Sequence, residues 1–241
     1  MTLLELENVS KRYGRGSREC VALEDVSLQL DAGELVAVWG RRRSGRSTLL
    51  RIAAGLDKPD EGIVRFEGHG LADKASESLR GSIRFCRKTF RPEAGQIVLE
   101  QLMTGQLTRG VPALEARSRA REALKRVGAE RCASLRPGEL GNAEVLRVAI
   151  ARALVHRPKL LIVDEPALGV ELPVRDEILE LLRSLADEGI AVLASATDVT
   201  GLAGADRAVS LMRGKLRGEI VAPELAPVIS LRNASGGSTN S

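Results

Sequence analysis

Apolar and polar residues alternate along LLELENVSKRY (3–13) and again along VALEDVSLQL (21–30), the period-two habit of strands with one buried face. A turn at Gly14–Ser17 separates them. Leu35–Trp39 breaks the alternation: it is continuously apolar, as a strand covered on both faces must be. GIVRFEG (62–68) reads as a short strand ending at Gly68, and Ile83–Cys86 as a strand that leaves the core. Between 97 and 134 the period lengthens to that of helices, first VLEQLMTGQL and then LEARSRAREALKRVGA. Val145–Leu154 continues as helix, Leu160–Val163 as a buried strand, and Pro173–Glu188 as an amphipathic helix. Strands Ile190–Ser195 and Arg207–Leu211 follow. Alternating strands and helices predict an α/β chain with a largely parallel sheet between helical layers, interrupted by a helical insertion at about 89–145. No internal repeat is found. Residues 226–241, ending in SLRNASGGSTNS, are too polar to pack and read as a disordered tail.

The predicted junction of the Leu35–Trp39 strand with the next helix carries the chemistry. VAVWGRRRSGRSTLLRIAAGL (36–56) has the strand–loop–helix order in which backbone N–H groups at a helix N-terminus converge on phosphate. Gly40 and Gly45 stand at P-loop spacing, Arg43, Ser44 and Thr48 complete the cradle, and Ser47 takes the Mg²⁺-binding hydroxyl position. Arg46 replaces the usual lysine. A lysine ammonium is a compact charge that slides between phosphates; a guanidinium is a wide planar fork. Arg43 also disfavours any left-handed backbone that the turn requires. An ordinary basic loop after a buried strand is the plain alternative.

A second site lies about 120 residues downstream. In LLIVDEP (160–166) an apolar strand delivers Asp164 and Glu165 to its carboxyl end, where α/β ligands bind. Next to a P-loop, Asp164 would help hold Mg²⁺ and Glu165 would orient or deprotonate the attacking water. Taken alone, Asp164 could equally cap a helix.

Composition narrows the rest. A net charge of +4, from 36 basic and 32 acidic residues, points to no nucleic-acid partner. Cys20, Cys86 and Cys132 show no metal or redox spacing and read as free thiols. No run reaches the roughly 18 apolar residues of a membrane-crossing helix, and Met1–Gly14 lacks a signal-peptide pattern, so a cytoplasmic chain is expected.

These motifs resemble the ATP-binding subunit of an ABC transporter, over nearly all of residues 1–225. RVAIARALVHRPKLLIVDEP (147–166) carries the likeness most strongly; VSKRYG and LRGSIRF…VLEQL add to it. GVPALEARSRAREALKRVGA is similar to the lipoprotein-release and macrolide-export subgroup. The resemblance implies a P-loop NTPase with a RecA-like parallel core, an antiparallel β-lobe and an inserted α-helical subdomain. It implies ATP and Mg²⁺ as cofactors. It further implies a membrane permease as partner, a head-to-tail homodimer or heterodimer with another ATPase, and a place on the inner face of the membrane. Tyr13 falls where the family stacks a ring on adenine. Lys88 stands at the family's glutamine, which touches Mg²⁺ and water, and Thr197 at its γ-phosphate-contacting histidine. The signature L-S-G-G-Q, which binds ATP held by the opposite subunit, reads Leu140-Gly141-Asn142-Ala143-Glu144. Lysine has no acceptor for a metal and threonine no imidazole. The expectation is a nucleotide-binding subunit impaired in hydrolysis. Two alternatives stand beside it: an active ATPase in which arginines replace the usual contacts, and a non-catalytic scaffold or regulatory subunit. Val98, Leu99 and Leu102, after the basic stretch Arg84, Arg87, Lys88 and Arg91, resemble the family's permease-docking surface.

Overall fold

The computed structural model describes residues 1–14, 20–72, 79, 81–86, 95–166 and 168–221. Strands β1 (Thr2–Tyr13), β2 (Cys20–Asp31), β4 (Glu61–Phe66) and β5 (His69–Gly70) form an antiparallel sheet in the order β2-β1-β4-β5. Its alternation works as the sequence predicts. Leu4 lies opposite Leu30 and Phe66, and Leu6 opposite Leu28 and Val64, all on one buried face.

The larger sheet has the order β10-β9-β3-β8-β7-β6. It comprises β3 (Leu35–Trp39), β6 (Ile83–Cys86), β7 (Leu160–Val163), β8 (Ala191–Ala196), β9 (Arg207–Met212) and β10 (Lys215–Val221). Five strands are parallel, and β10 closes one edge antiparallel to β9. Its central strands are almost wholly apolar, Ser195 excepted, because each face meets a different core. Val36, Val38, Leu160, Ile162 and Leu193 pack with α1 (Arg46–Ala53) and the antiparallel sheet. Leu35, Ala37, Leu161, Val163 and Val192 pack on the other side. There the layer is built from α2 (Val98–Leu107), α3 (Ala113–Arg126), α4 (Asn142–Leu154) and α5 (Leu172–Asp187). Among the described residues no helix is long and apolar enough to cross a membrane.

Four readings change. Ile83–Cys86 does not leave the core: it is the edge strand β6, parallel to β7, with Ile83 and Cys86 buried and Arg84 and Phe85 half-buried at the rim. The helix read from Val145 begins at Asn142, because the Glu144 carboxylate caps it. β10 was not expected, its apolar positions being interrupted by charge and glycine. Val98, Leu99 and Leu102 are 0%, 8% and 1% exposed, so they belong to the core of the helical layer rather than to a docking face. The tail, most of the Gly14–Ser17 turn, and Arg87, Lys88 and Arg91 lie outside the described residues.

Candidate nucleotide site

The parallel sheet places the carboxyl ends of β3, β8 and β7 side by side, in register from Trp39 to Ala196 and from Val163 to Ala194. Gly40 follows β3 and donates its N–H to the Ala196 carbonyl at 3.2 Å. A Cβ on Gly40 would fall 2.3 Å from the Leu211 carbonyl oxygen, so the loop can pass β9 only without a side chain. Gly45 is needed twice over. Its φ is +107°, and a Cβ would sit 2.2 Å from the carbonyl oxygen of Ala22 on β2. Arg43 does adopt the left-handed backbone, at φ 64°, so the turn keeps its shape against that residue's preference. Gly45→Ala is expected to lower stability by about 2–4 kcal/mol through strain and displaced backbone. Denaturant unfolding checks this.

α1 opens at Arg46 with no side-chain cap and no acidic residue in its first turn. Its first N–H groups therefore keep their capacity for an anion. Three polar atoms around the loop are buried without a hydrogen-bond partner: Trp39 Nε1, Ser44 Oγ and Arg46 Nη1. Buried donors of this kind are costly unless something pairs with them. The cradle thus fits a phosphate.

The other nitrogen of the fork is engaged. Arg46 Nη2 lies 2.8 Å from Glu165 Oε1, with the two side chains only 5% and 11% exposed. Glu165 itself has φ 51°, a strained backbone for a non-glycine residue at a strand end. Asp164 is anchored by its N–H to the Cys86 carbonyl at 3.1 Å. One hydroxyl organises both acids: Ser195 Oγ donates to Asp164 Oδ1 at 2.7 Å and accepts the Glu165 N–H at 2.8 Å. Ser195 was missed in the sequence; the signal was a lone hydroxyl in the buried run AVLASA. Thr197 follows β8 directly, half-buried at the same sheet edge. Asp164 offers a carboxylate and the exposed Ser47 a hydroxyl, oxygen donors of the kind that Mg²⁺ prefers. Loop, acids and Thr197 therefore converge at one edge.

The other expected residues sit elsewhere. Tyr13 is 42% exposed; its hydroxyl bonds Asp57 at 3.3 Å, and Lys11 Nζ lies 5.7 Å from the ring centre. Asp57 also takes two bonds from Arg51 of α1, which hold its carboxyl below the usual range. Gly141, Asn142 and Glu144 form the start of α4. There the Glu144 carboxylate accepts the Gly141 N–H at 2.9 Å and pairs with Arg131 at 3.0 Å. The Gly141 bond first, then the Arg131 charge, lowers its pKa against the opposing effect of burial. The helix start that could receive an outside anion is filled by a carboxylate of its own chain.

The ABC transporter family model matches residues 23–168. The chain belongs to the ABC transporter family. It is 37% identical over 220 residues to the lipoprotein-releasing system ATP-binding protein LolD of Chromohalobacter salexigens, covering 89% of this chain and 92% of that protein. It is 34% identical to the pyoverdine export ATP-binding/permease protein PvdT of Pseudomonas aeruginosa, of which it covers 33%. Among solved structures, the dimeric bacterial ABC transporter cassette MJ0796 superposes with a TM-score of 0.83 at 30% identity, over 91% of this chain and 98% of that one. A dimeric post-hydrolysis form of MJ0796, bound to ADP and Pi, gives 0.81 at 29% identity over the same shares. This ABC protein is thus an ATP-binding subunit by family, with a P-loop core, an antiparallel lobe and a helical layer.

Proposed function

We propose that this subunit binds MgATP at the β3–α1 loop, pairs head-to-tail with a second cassette, serves a membrane permease from the cytoplasmic face, and hydrolyses ATP slowly or not at all. The observation that carries this reading is the Arg46–Glu165 pair. A general base must meet its water with a free carboxylate. Here that carboxylate is committed to the cation that stands in the lysine position. Nucleotide binding is supported separately by the uncapped start of α1 and the unpartnered Ser44 Oγ and Arg46 Nη1. Asp164 and Ser47 would hold the Mg²⁺, and Tyr13 would face the adenine.

Two further features point the same way. In a head-to-tail pair the start of α4 would face the γ-phosphate held by the other subunit. Glu144 brings a negative charge there and already occupies Gly141 N–H. Thr197 offers a hydroxyl where acid–base work at that reach asks for an imidazole.

The test is a turnover assay beside a thermal-shift titration with MgATP, MgADP and adenosine. The two nucleotides should raise the melting temperature and adenosine should not. Turnover should fall at least a hundredfold below the enzyme median of about 10 s⁻¹. Turnover near that median, abolished by Glu165→Gln, would overturn the reading. Equal shifts from ATP and adenosine would remove the phosphate cradle from it.

A further inference from the structure

Far from the loop along the chain, three elements bring cationic groups together. β6 packs on α4, with Cys86 Sγ 3.6 Å from the Ala149 carbonyl oxygen. The end of α4 leads to His156, whose ring lies against α2: a Cβ on Gly105 would be 3.4 Å from its Cε1 and Nε2. The missing side chain at Gly105 gives the imidazole its place. Arg84 projects from β6, and Arg109 follows the C-terminal end of α2.

Most arginines packed into this fold face a carboxylate, as Arg147 faces Glu177 and Arg183 faces Asp206. Among the described residues, Arg84 and Arg109 have no such pairing. Arg84 Nη1 is fixed on the Ile83 carbonyl at 2.9 Å, while Nη2 is buried with no hydrogen-bond partner. Burial and then the Arg109 charge lower the Arg84 pKa. Burial, then Arg84, Arg109 and Arg152, push His156 down to about 4, so its ring is neutral at pH 7. Service to helix C-termini accounts for Arg109 and for Arg152 in the last turn of α4. It does not account for Arg84, which lies on a strand.

We propose that Arg84, Arg109 and His156 form a binding site for a phosphate-type oxyanion, distinct from the β3–α1 loop. The planar guanidinium fork suits phosphate oxygens, and a neutral imidazole adds one N–H donor. An anion here would pair the buried Nη2 and relieve the repulsion among the cations. Free phosphate and the phosphate of an anionic lipid headgroup share this chemistry. The site stands whether or not the chain hydrolyses ATP.

His156 is its own reporter. The chain has two histidines, so His69→Gln leaves a single imidazole to follow by NMR. Inorganic phosphate, compared with chloride at equal ionic strength, should raise the His156 midpoint by about one unit or more as neighbouring cations are neutralised. Vesicles of phosphatidylglycerol, compared with phosphatidylcholine, form the second arm. A shift with phosphate assigns the free anion; a shift only with phosphatidylglycerol assigns a headgroup. Arg84→Gln should remove the response, and so should Arg109→Gln, whose exposed side chain makes loss of folding no explanation. No shift in either arm, or an undiminished shift in Arg109→Gln, overturns the proposal.

Discussion

Glu165→Gln is expected to lower the melting temperature by about 6–12 °C, a large effect for a change that keeps shape and volume. The substitution leaves the Arg46 guanidinium, 5% exposed, without its opposite charge. Breaking a buried pair from one side costs about 3–5 kcal/mol; the amide oxygen still accepts one bond, which brings the figure to about 3 kcal/mol. For a chain of this size each kcal/mol moves the midpoint by roughly 2–4 °C. The double variant Arg46→Met/Glu165→Met removes both charges and should recover most of the loss. Calorimetry of the parent, Arg46→Met, Glu165→Met and the double variant gives the coupling directly. A glutamate that merely waits in an open cleft would tolerate the amide, so a change below about 1 °C would show that the pair is not held in solution.

The second large effect is a gain. Arg46→Lys, Lys88→Gln, Glu144→Gln and Thr197→His together return four positions to the residue types that the family resemblance implies. Turnover of MgATP should rise at least about a thousandfold, since acid–base and electrostatic contacts each contribute about 10²–10⁴. Each single change should give less than about tenfold, because groups acting on one phosphate work as a unit. A quadruple variant no faster than its parent would show that these four positions are not what limits hydrolysis. Full recovery by Arg46→Lys alone would place the whole defect in the loop.

Much of this was legible in the chain, for identifiable reasons. Alternation along 3–13, though broken at Leu3–Leu4 and Val9–Ser10, and unbroken apolar runs at 35–39 and 160–163 distinguish a half-covered sheet from a doubly covered one. The loop glycines and the adjacent carboxylates were readable because each motif is local. What escaped was non-local or buried in apolar context. Arg46 and Glu165 are 119 positions apart, and only the alignment of β3 and β7 on either side of β8 brings them together. Ser195 is an isolated hydroxyl in an apolar run, and its two partners follow the end of the neighbouring strand β7. Ile83–Cys86 read as a strand that leaves the core, whereas an edge position lets the charged Arg84 sit at the rim. Val98, Leu99 and Leu102 carried helical spacing that fits a core as well as a surface; packing decided for the core.

The phosphate loop is walled by residues that do not belong to it. Ala22 of β2 closes on Gly45, Leu211 of β9 closes on Gly40, and the N–H of Gly214, in the turn after β9, reaches the Ser44 carbonyl at 2.9 Å. Glu24 in turn donates its N–H to the Gly214 carbonyl at 2.9 Å, joining the two walls. The concavity is therefore a seam between two sheets rather than a possession of the segment that names it. A fragment beginning at Leu35 would keep every glycine and arginine of the loop and lose one side of the mould that shapes it. Any motion that parts the antiparallel sheet from β9 and β10 would likewise loosen the grip on phosphate without touching a single contacting residue.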